Sequence, residues 1–177
     1  LERQFDIIEA SGVLHHMDNP MEGWKVLYDC LKPGGLMKIG LYSELARQHI
    51  FSIKKELGYS LDGAHFGKVK EFRKKIIFSK QERHKEILAS HDFYSLSTLR
   101  DLVFHVKEHR FTIPKIQKSI ANLGLGFCGF ENSQVVRKFQ QVNNDINDAY
   151  ELDKWNAYEE SNPSTFKGMY QFWCQKL

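Results

Sequence analysis

The stretch from Phe5 to Ser43, FDIIEASGVLHHMDNPMEGWKVLYDCLKPGGLMKIGLYS, constrains this chain most, because it holds one complete strand, turn, helix, turn, strand unit. Phe5-Asp6-Ile7-Ile8-Glu9-Ala10 is short, β-branched and apolar on both faces, the pattern of a parallel strand covered on both sides. Ser11-Gly12 breaks it. Asn19 suits an N-cap, and Pro20 suits the first helical position, where its missing N–H costs nothing. Trp24, Leu27, Tyr28 and Leu31 recur at spacings of three and four, which predicts a helix over Met21 to Leu31 with one apolar face. Lys32-Pro33-Gly34-Gly35 reads as the turn that stops this helix, and Leu36 to Tyr42 as the next strand. A crossover of this length joins parallel strands.

These residues carry a resemblance. FDIIEASGVLHHMDNP followed by LKPGGLMKIGLYS resembles the second half of a class I S-adenosylmethionine-dependent methyltransferase, in particular the methyltransferase domains often attached to tetratricopeptide repeats. FTIPKIQKSIANLGLGFCGFE and MYQFWCQK also resemble that family's end. The resemblance implies an α/β fold: a partial Rossmann-like methyltransferase sheet of about four strands, the last ones antiparallel. Residues 1–177 would form a single domain, with a large helical insertion over residues 44–123.

The same resemblance implies S-adenosylmethionine as cofactor of the complete protein and a methyl acceptor as substrate. Ser11, Gly12, Val13, His15 and His16 would then bind the cofactor, just past the carboxyl end of a parallel strand, where open α/β sheets place ligands. His16 and Tyr42 would be catalytic, and Ser43 and Arg47 would touch the substrate as the chain leaves the next strand at the same edge, beside Glu44. Methyl transfer asks for an aligned nucleophile and, for some acceptors, a base, and an imidazole with an ordinary pKa near 6.5 suits that role.

The resemblance also calls for a first strand ending in a glycine-rich loop and an acid closing the second strand, and neither stands ahead of Phe5. The chain therefore reads as the C-terminal part of such a fold, inactive alone. Its Gly-x-Gly-x-x-Gly match, Gly124 to Gly129, follows a helical pattern and precedes a strand, the reverse of a phosphate loop, so Gly124 reads as a helix C-cap. A different functional class stays open: a non-catalytic interaction module on a degenerate methyltransferase scaffold. In the resembled fold Phe5 to Ala10 would lie beside the absent first strand, and this edge carries no lysine or proline to discourage pairing. A homodimer through that edge is the expectation.

Composition adds bounds. A chain of 177 residues can bury a real core. It has no apolar run of membrane-spanning length and no signal-peptide pattern, so a cytoplasmic location and no membrane partner are expected. Cys30, Cys128 and Cys174 lie in apolar patterns without CxxC spacing and read as buried thiols. No metal site is expected. His105-Val106-Lys107-Glu108-His109 matches a zinc spacing, HxxEH, but lacks a distant third ligand.

Beyond Ser43 the pattern is helical. Glu44 to Leu57 predicts a helix ended by Gly58, and Lys68 to Ser90 a second helical stretch mixing Phe72, Ile76, Ile77, Ile87 and Leu88 with charge. That stretch holds eight Lys and Arg against three Glu. It reads as a solvated face, with docking of an acidic partner or nucleic acid as the sharper alternative. Ser95 or Ser97 begins a helix carrying Leu99, Leu102, Val103 and Val106, and Thr112 with Pro114 begins another. A strand near Phe127, helices over Ser133 to Gln141 and Asp148 to Glu160, and a last strand from Met169 to Gln175 complete the reading.

Overall fold

A computed structural model describes residues 3–56, 58, 66–104 and 108–177. In chain order the elements are β1 (Phe5–Ser11), α1 (Pro20–Asp29), β2 (Leu31–Leu41), α2 (Gln48–Glu56), α3 (Phe66–Ile77), α4 (Glu82–Leu88) and α5 (Leu96–Phe104). They continue with α6 (Ile113–Leu123), β3 (Leu125–Phe130), α7 (Ser133–Gln140), α8 (Leu152–Ser161) and β4 (Tyr170–Lys176). The chain forms two compact units, Leu1–Ala46 with His109–Leu177, and Arg47–Glu108.

The first unit is built on a four-stranded sheet of order β1-β2-β4-β3. β1 and β2 are parallel, joined through α1, while β4 runs antiparallel to both β2 and β3. Side chains alternate across a sheet, so each strand has one core face. Here that face carries Ala10, Met37, Ile39, Leu41, Tyr170, Phe172 and Cys174, packed with Trp24, Ile116, Ile120, Phe139 and Trp155. α6 belongs to this core through Ile113, Ile116 and Ile120. Thr112 Oγ1 caps it by accepting from Lys115 N, and Gly124 ends it in the left-handed conformation at φ 67°.

The opposite face of the sheet mixes charge with apolar side chains, Glu9 and Lys38 with Phe5, Ile7 and Trp173. Lys38 Nζ pairs with Glu131 at 2.9 Å and Glu9 at 3.1 Å, two contacts that raise the lysine's pKa. Phe5 and Ile7 are 43% and 60% exposed. The expectation that Phe5 to Ala10 is covered on both sides is therefore corrected: β1 is an edge strand with one buried face, and Ala10 is its buried residue.

The Lys32-Pro33-Gly34-Gly35 turn is also recast. The first helix ends at Asp29, and β2 already pairs at Leu31 with Phe5 before resuming at Leu36 opposite Ile7. Five steps on β2 match two on β1, so Lys32 to Gly35 bulge out, with Gly34 at φ 75°. Lys32 Nζ then reaches Asp6 at 2.9 Å and holds its carboxyl below the usual range. Lys176 closes the end of α1 by donating to Tyr28 O and Leu31 O at 3.0 and 2.8 Å. Of the three cysteines, Cys30 and Cys174 are buried, whereas Cys128 sits at an irregularity of β3 and is exposed. Burial pushes the Cys174 thiol up to about 12.

The second unit packs α2 to α5 around Ile53, Val69, Phe72, Ile76, Ile87, Phe93, Leu99, Val103 and Phe104. The stretch from Lys68 to Ser90 is two helices rather than one. Ser79 Oγ accepts from Gln81 N at 3.2 Å, a local bond that competes with helix continuation. His84 Nδ1 lies 2.7 Å from the same hydroxyl, and its Nε2 lies 3.3 Å from Glu56 Oε2. Ile77, grouped by pattern with the apolar residues, is exposed.

Candidate functional site

The parallel strands β1 and β2 end side by side, and the residues that follow converge. A Cβ on Gly40 would meet Ser11 Cα at 2.9 Å, so the exit of β1 lies directly on β2, and Gly12 N donates to Gly40 O at 3.2 Å. Gly12 turns the chain at φ 77°, where nothing lies within 4 Å of an added Cβ. That open position leaves backbone approachable to a ligand. A single turn of 3-10 helix, Leu14–His16, follows.

This turn brings His15, His16 and Tyr42 together. The ring centroids of His15 and Tyr42 are 3.9 Å apart with a 32° tilt. His16 stands edge-on to His15 at 4.3 Å and to Tyr42 at 5.8 Å. His15 is fully buried, while His16 and Tyr42 are partly exposed, so these two rings are the ones a ligand can reach. The backbone fixes the cluster from a third segment: His109 N donates to His15 O at 2.8 Å and Phe111 N donates to Tyr42 O at 2.9 Å. A short parallel bridge between Ser43 and Phe111 extends this tie.

Ser43 and Arg47 have internal partners. Ser43 is fully buried; its hydroxyl donates to Glu159 Oε1 at 2.7 Å and accepts from Ala46 N at 3.1 Å. Tyr170 donates its hydroxyl to the same carboxylate, at 2.8 and 2.6 Å from its two oxygens. Burial raises the Glu159 carboxyl above its usual range, against the lowering effect of Tyr170 and Ser43. Burial and the neighbouring Glu159 push the Tyr170 phenol up. Arg47, in the second unit, is 4% exposed at its side chain and forms a two-pronged ion pair with Glu108, Nε to Oε1 at 3.0 Å and Nη2 to Oε2 at 2.8 Å. It also donates to Leu102 O.

Glu159 and Tyr170 were not legible as site residues by motif. A signal exists: Leu152, Trp155 and Glu159 fall at i, i+3 and i+7, which puts a carboxylate on the apolar stripe of α8. Of the HxxEH match, His105 to Lys107 lie outside the described residues; Glu108 holds Arg47 and His109 contributes its backbone N–H. Among the described residues no group of three potential metal ligands clusters.

Two structures of PKMT2 from Rickettsia typhi share this architecture. The one in complex with AdoHcy superposes with a TM-score of 0.63 at 14% identity, covering 99% of this chain and 35% of that one. The other superposes with a TM-score of 0.60 at 13% identity over the same shares. The chain has a methyltransferase-like α/β fold. An uncharacterized protein of a Synechococcus strain is 27% identical over 175 residues, 89% of this chain and 40% of that protein. No family model matches. The chain thus spans 35–40% of the length of these proteins. Within the methyltransferase-like fold, Gly12 and the His15–His16–Tyr42 cluster occupy the carboxyl ends of the parallel pair.

Proposed function

We propose that this chain is part of an S-adenosylmethionine-dependent methyltransferase and supplies one wall of its cofactor and acceptor site. The observation that carries the reading is the convergence of His16 and Tyr42, both partly exposed, beside the open backbone at Gly12 at the ends of two parallel strands. The AdoHcy complex of the similarly folded PKMT2 makes this cofactor class the natural one to test.

The residues present fit such a group. Gly12 offers backbone without an obstructing side chain, Ser11 adds a short polar one, and exposed Val13 offers apolar contact. The cofactor, when bound, supplies a sulfonium with an activated methyl. His16 is proposed as the base that takes the acceptor's proton, with buried His15 fixing its ring edge-on, and Tyr42 as the group that orients the acceptor. Ser43 holds the exit of β2, and Arg47 holds the ends of the helical unit through Glu108.

The test is a titration of the isotope-labelled chain with S-adenosylhomocysteine, followed at the imidazole and Gly12 resonances. One wall predicts weak binding, in the millimolar range, with shifts confined to Ser11, Gly12, Val13, His15, His16 and Tyr42. A micromolar dissociation constant would overturn the one-wall reading. Unmoved histidine resonances at saturating ligand would remove the site and leave an interaction module on the same fold.

A further inference from the structure

The side of α3 turned away from its own core is neither plainly polar nor fully paired. Val69, Phe72 and Ile76 are buried on one side of the helix. With 3.6 residues per turn, Phe66, Lys70, Lys74, Ile77 and Phe78 fall within an arc of about 120° on another side. Phe78 belongs to this arc because its N–H donates to Lys74 O, continuing the helical turn. The three apolar side chains are 51%, 49% and 78% exposed at Phe66, Ile77 and Phe78. Scattered exposed apolar residues are ordinary, but three large ones aligned over about 18 Å of one helix mark a contact surface.

Charge on this arc has one sign. Glu71, the acidic residue of α3, lies outside it and pairs with Lys75 at 3.0 Å. Lys70 and Lys74 have no acidic partner among the described residues and are exposed. Arg100 of α5 places its guanidinium 5.8 Å from the centre of the Phe66 ring and adds a third cation. A partner must therefore offer negative charge and an apolar medium within one side chain's depth of each other.

We propose that this face of α3 docks the chain on an anionic phospholipid surface. Phe66, Ile77 and Phe78 enter the boundary between headgroups and acyl chains, while Lys70, Lys74 and Arg100 reach back to the phosphates. A nucleic acid would use the cations and stack on the phenylalanines, but would leave Ile77 in water. An acidic protein segment would have to present apolar pockets at the separation of Phe66 and Phe78, a requirement that a fluid interface lacks. No described helix is long and apolar enough to cross a membrane, so the contact is peripheral; the lack of a spanning segment in the sequence does not bear on it.

Co-sedimentation of the chain with vesicles of phosphatidylcholine, with and without phosphatidylglycerol, tests this. Binding to the phosphatidylglycerol vesicles should exceed binding to phosphatidylcholine alone by about tenfold or more. Ile77→Asp with Phe78→Asp should lower it by about tenfold, and Lys70→Glu with Lys74→Glu by at least as much, at about fivefold per lysine. Ile77→Ser with Phe78→Ser, a milder pair, should act in the same direction, and unchanged circular dichroism would show that the helices persist. Equal binding to both vesicles would overturn the proposal. So would binding that survives the apolar substitutions, or tighter binding of a thymidine oligonucleotide or of polyglutamate than of the anionic vesicles.

Discussion

Ser43 Oγ donates to Glu159 Oε1 at 2.7 Å across 116 residues of chain, and Tyr170 completes a fully buried three-residue cluster. The bond ties the residue after Tyr42 to α8 and β4, so the exit of β2 is fixed by groups remote in sequence. Removing a hydrogen-bonding partner from a buried carboxylate costs more than the bond's net worth, because the partner stays desolvated. Tyr170→Phe should destabilise by about 2 kcal/mol and Glu159→Ala by about 3 kcal/mol or more, since the latter strands two hydroxyls and opens a cavity. Urea denaturation checks both, and a Tyr170→Phe protein as stable as the parent would remove the cluster from the core's energetics.

The same carboxyl gives a pH prediction. Its folded pKa lies above its unfolded value, so the folded state holds this proton more tightly. The stability this contributes is present below the unfolded pKa and is lost as pH rises through the raised folded value. Glu159→Gln cannot titrate. The difference in melting temperature, variant minus parent, should therefore become more positive as pH rises from the ordinary carboxyl range toward neutrality. A difference that stays flat, or grows more negative with pH, would contradict the direction.

How much of this was legible in the sequence depends on range. β1, α1, the Thr112 cap and the Gly124 cap follow from neighbours within a few residues, and the structure has them. Asn19 accepts from Met21 N and Glu22 N, as a cap should. The convergence of His15, His16 and Tyr42 follows from parallel strands ending at one edge. Partners distant in sequence were not legible: Glu159 looks like one more charge in an acidic helix, and Arg47 gives no hint that Glu108 awaits it. The open face of the sheet was misread because Phe5, Ile7 and Ile8 look alike by composition. Only the pairing of Glu9 with Lys38 shows which face meets water.

Arg47 and Glu108 stand at the two ends of the helical unit and form a two-pronged ion pair in which Arg47 is buried and Glu108 partly so. Breaking such a pair by removing one member leaves an uncompensated charge, at about 3 kcal/mol. Glu108→Ala should therefore loosen this unit selectively. Hydrogen exchange is the measurement: amides of α2 and α5 should lose protection by about 10²-fold, while those of β2 and β4 keep theirs. Uniform loss everywhere would mean that the pair does not act locally.

His16→Ala and Tyr42→Phe address the proposed chemistry. Both residues are partly exposed, unlike His15 and Ser43, so their loss should spare the fold. In a protein that carries this chain and transfers methyl groups, each should lower turnover by about 10²-fold, the scale of a lost general base or orienting group. Melting temperatures should change little. Unchanged turnover in both variants would take them out of the reaction, and a collapse in melting temperature would return them to the packing of the strand ends.

The free side of β1 raises the question of self-association. Phe5 and Ile7 are the exposed apolar residues of this edge strand, which holds neither lysine nor proline. An unpaired strand edge is a template for another, and Asp6 is already engaged by Lys32, which leaves less free charge to oppose contact. We propose a two-fold homodimer in which the β1 edges of two copies pair. Sedimentation at micromolar protein should show a dimer, and Ile7→Lys should shift it to monomer, because an edge lysine must be desolvated in the pair. Since Ile7 is mostly exposed, the substitution should leave the unfolding free energy of the monomer within about 0.5 kcal/mol of the parent's. A parental chain that sediments as a monomer would end the proposal, as would a dimer untouched by Ile7→Lys.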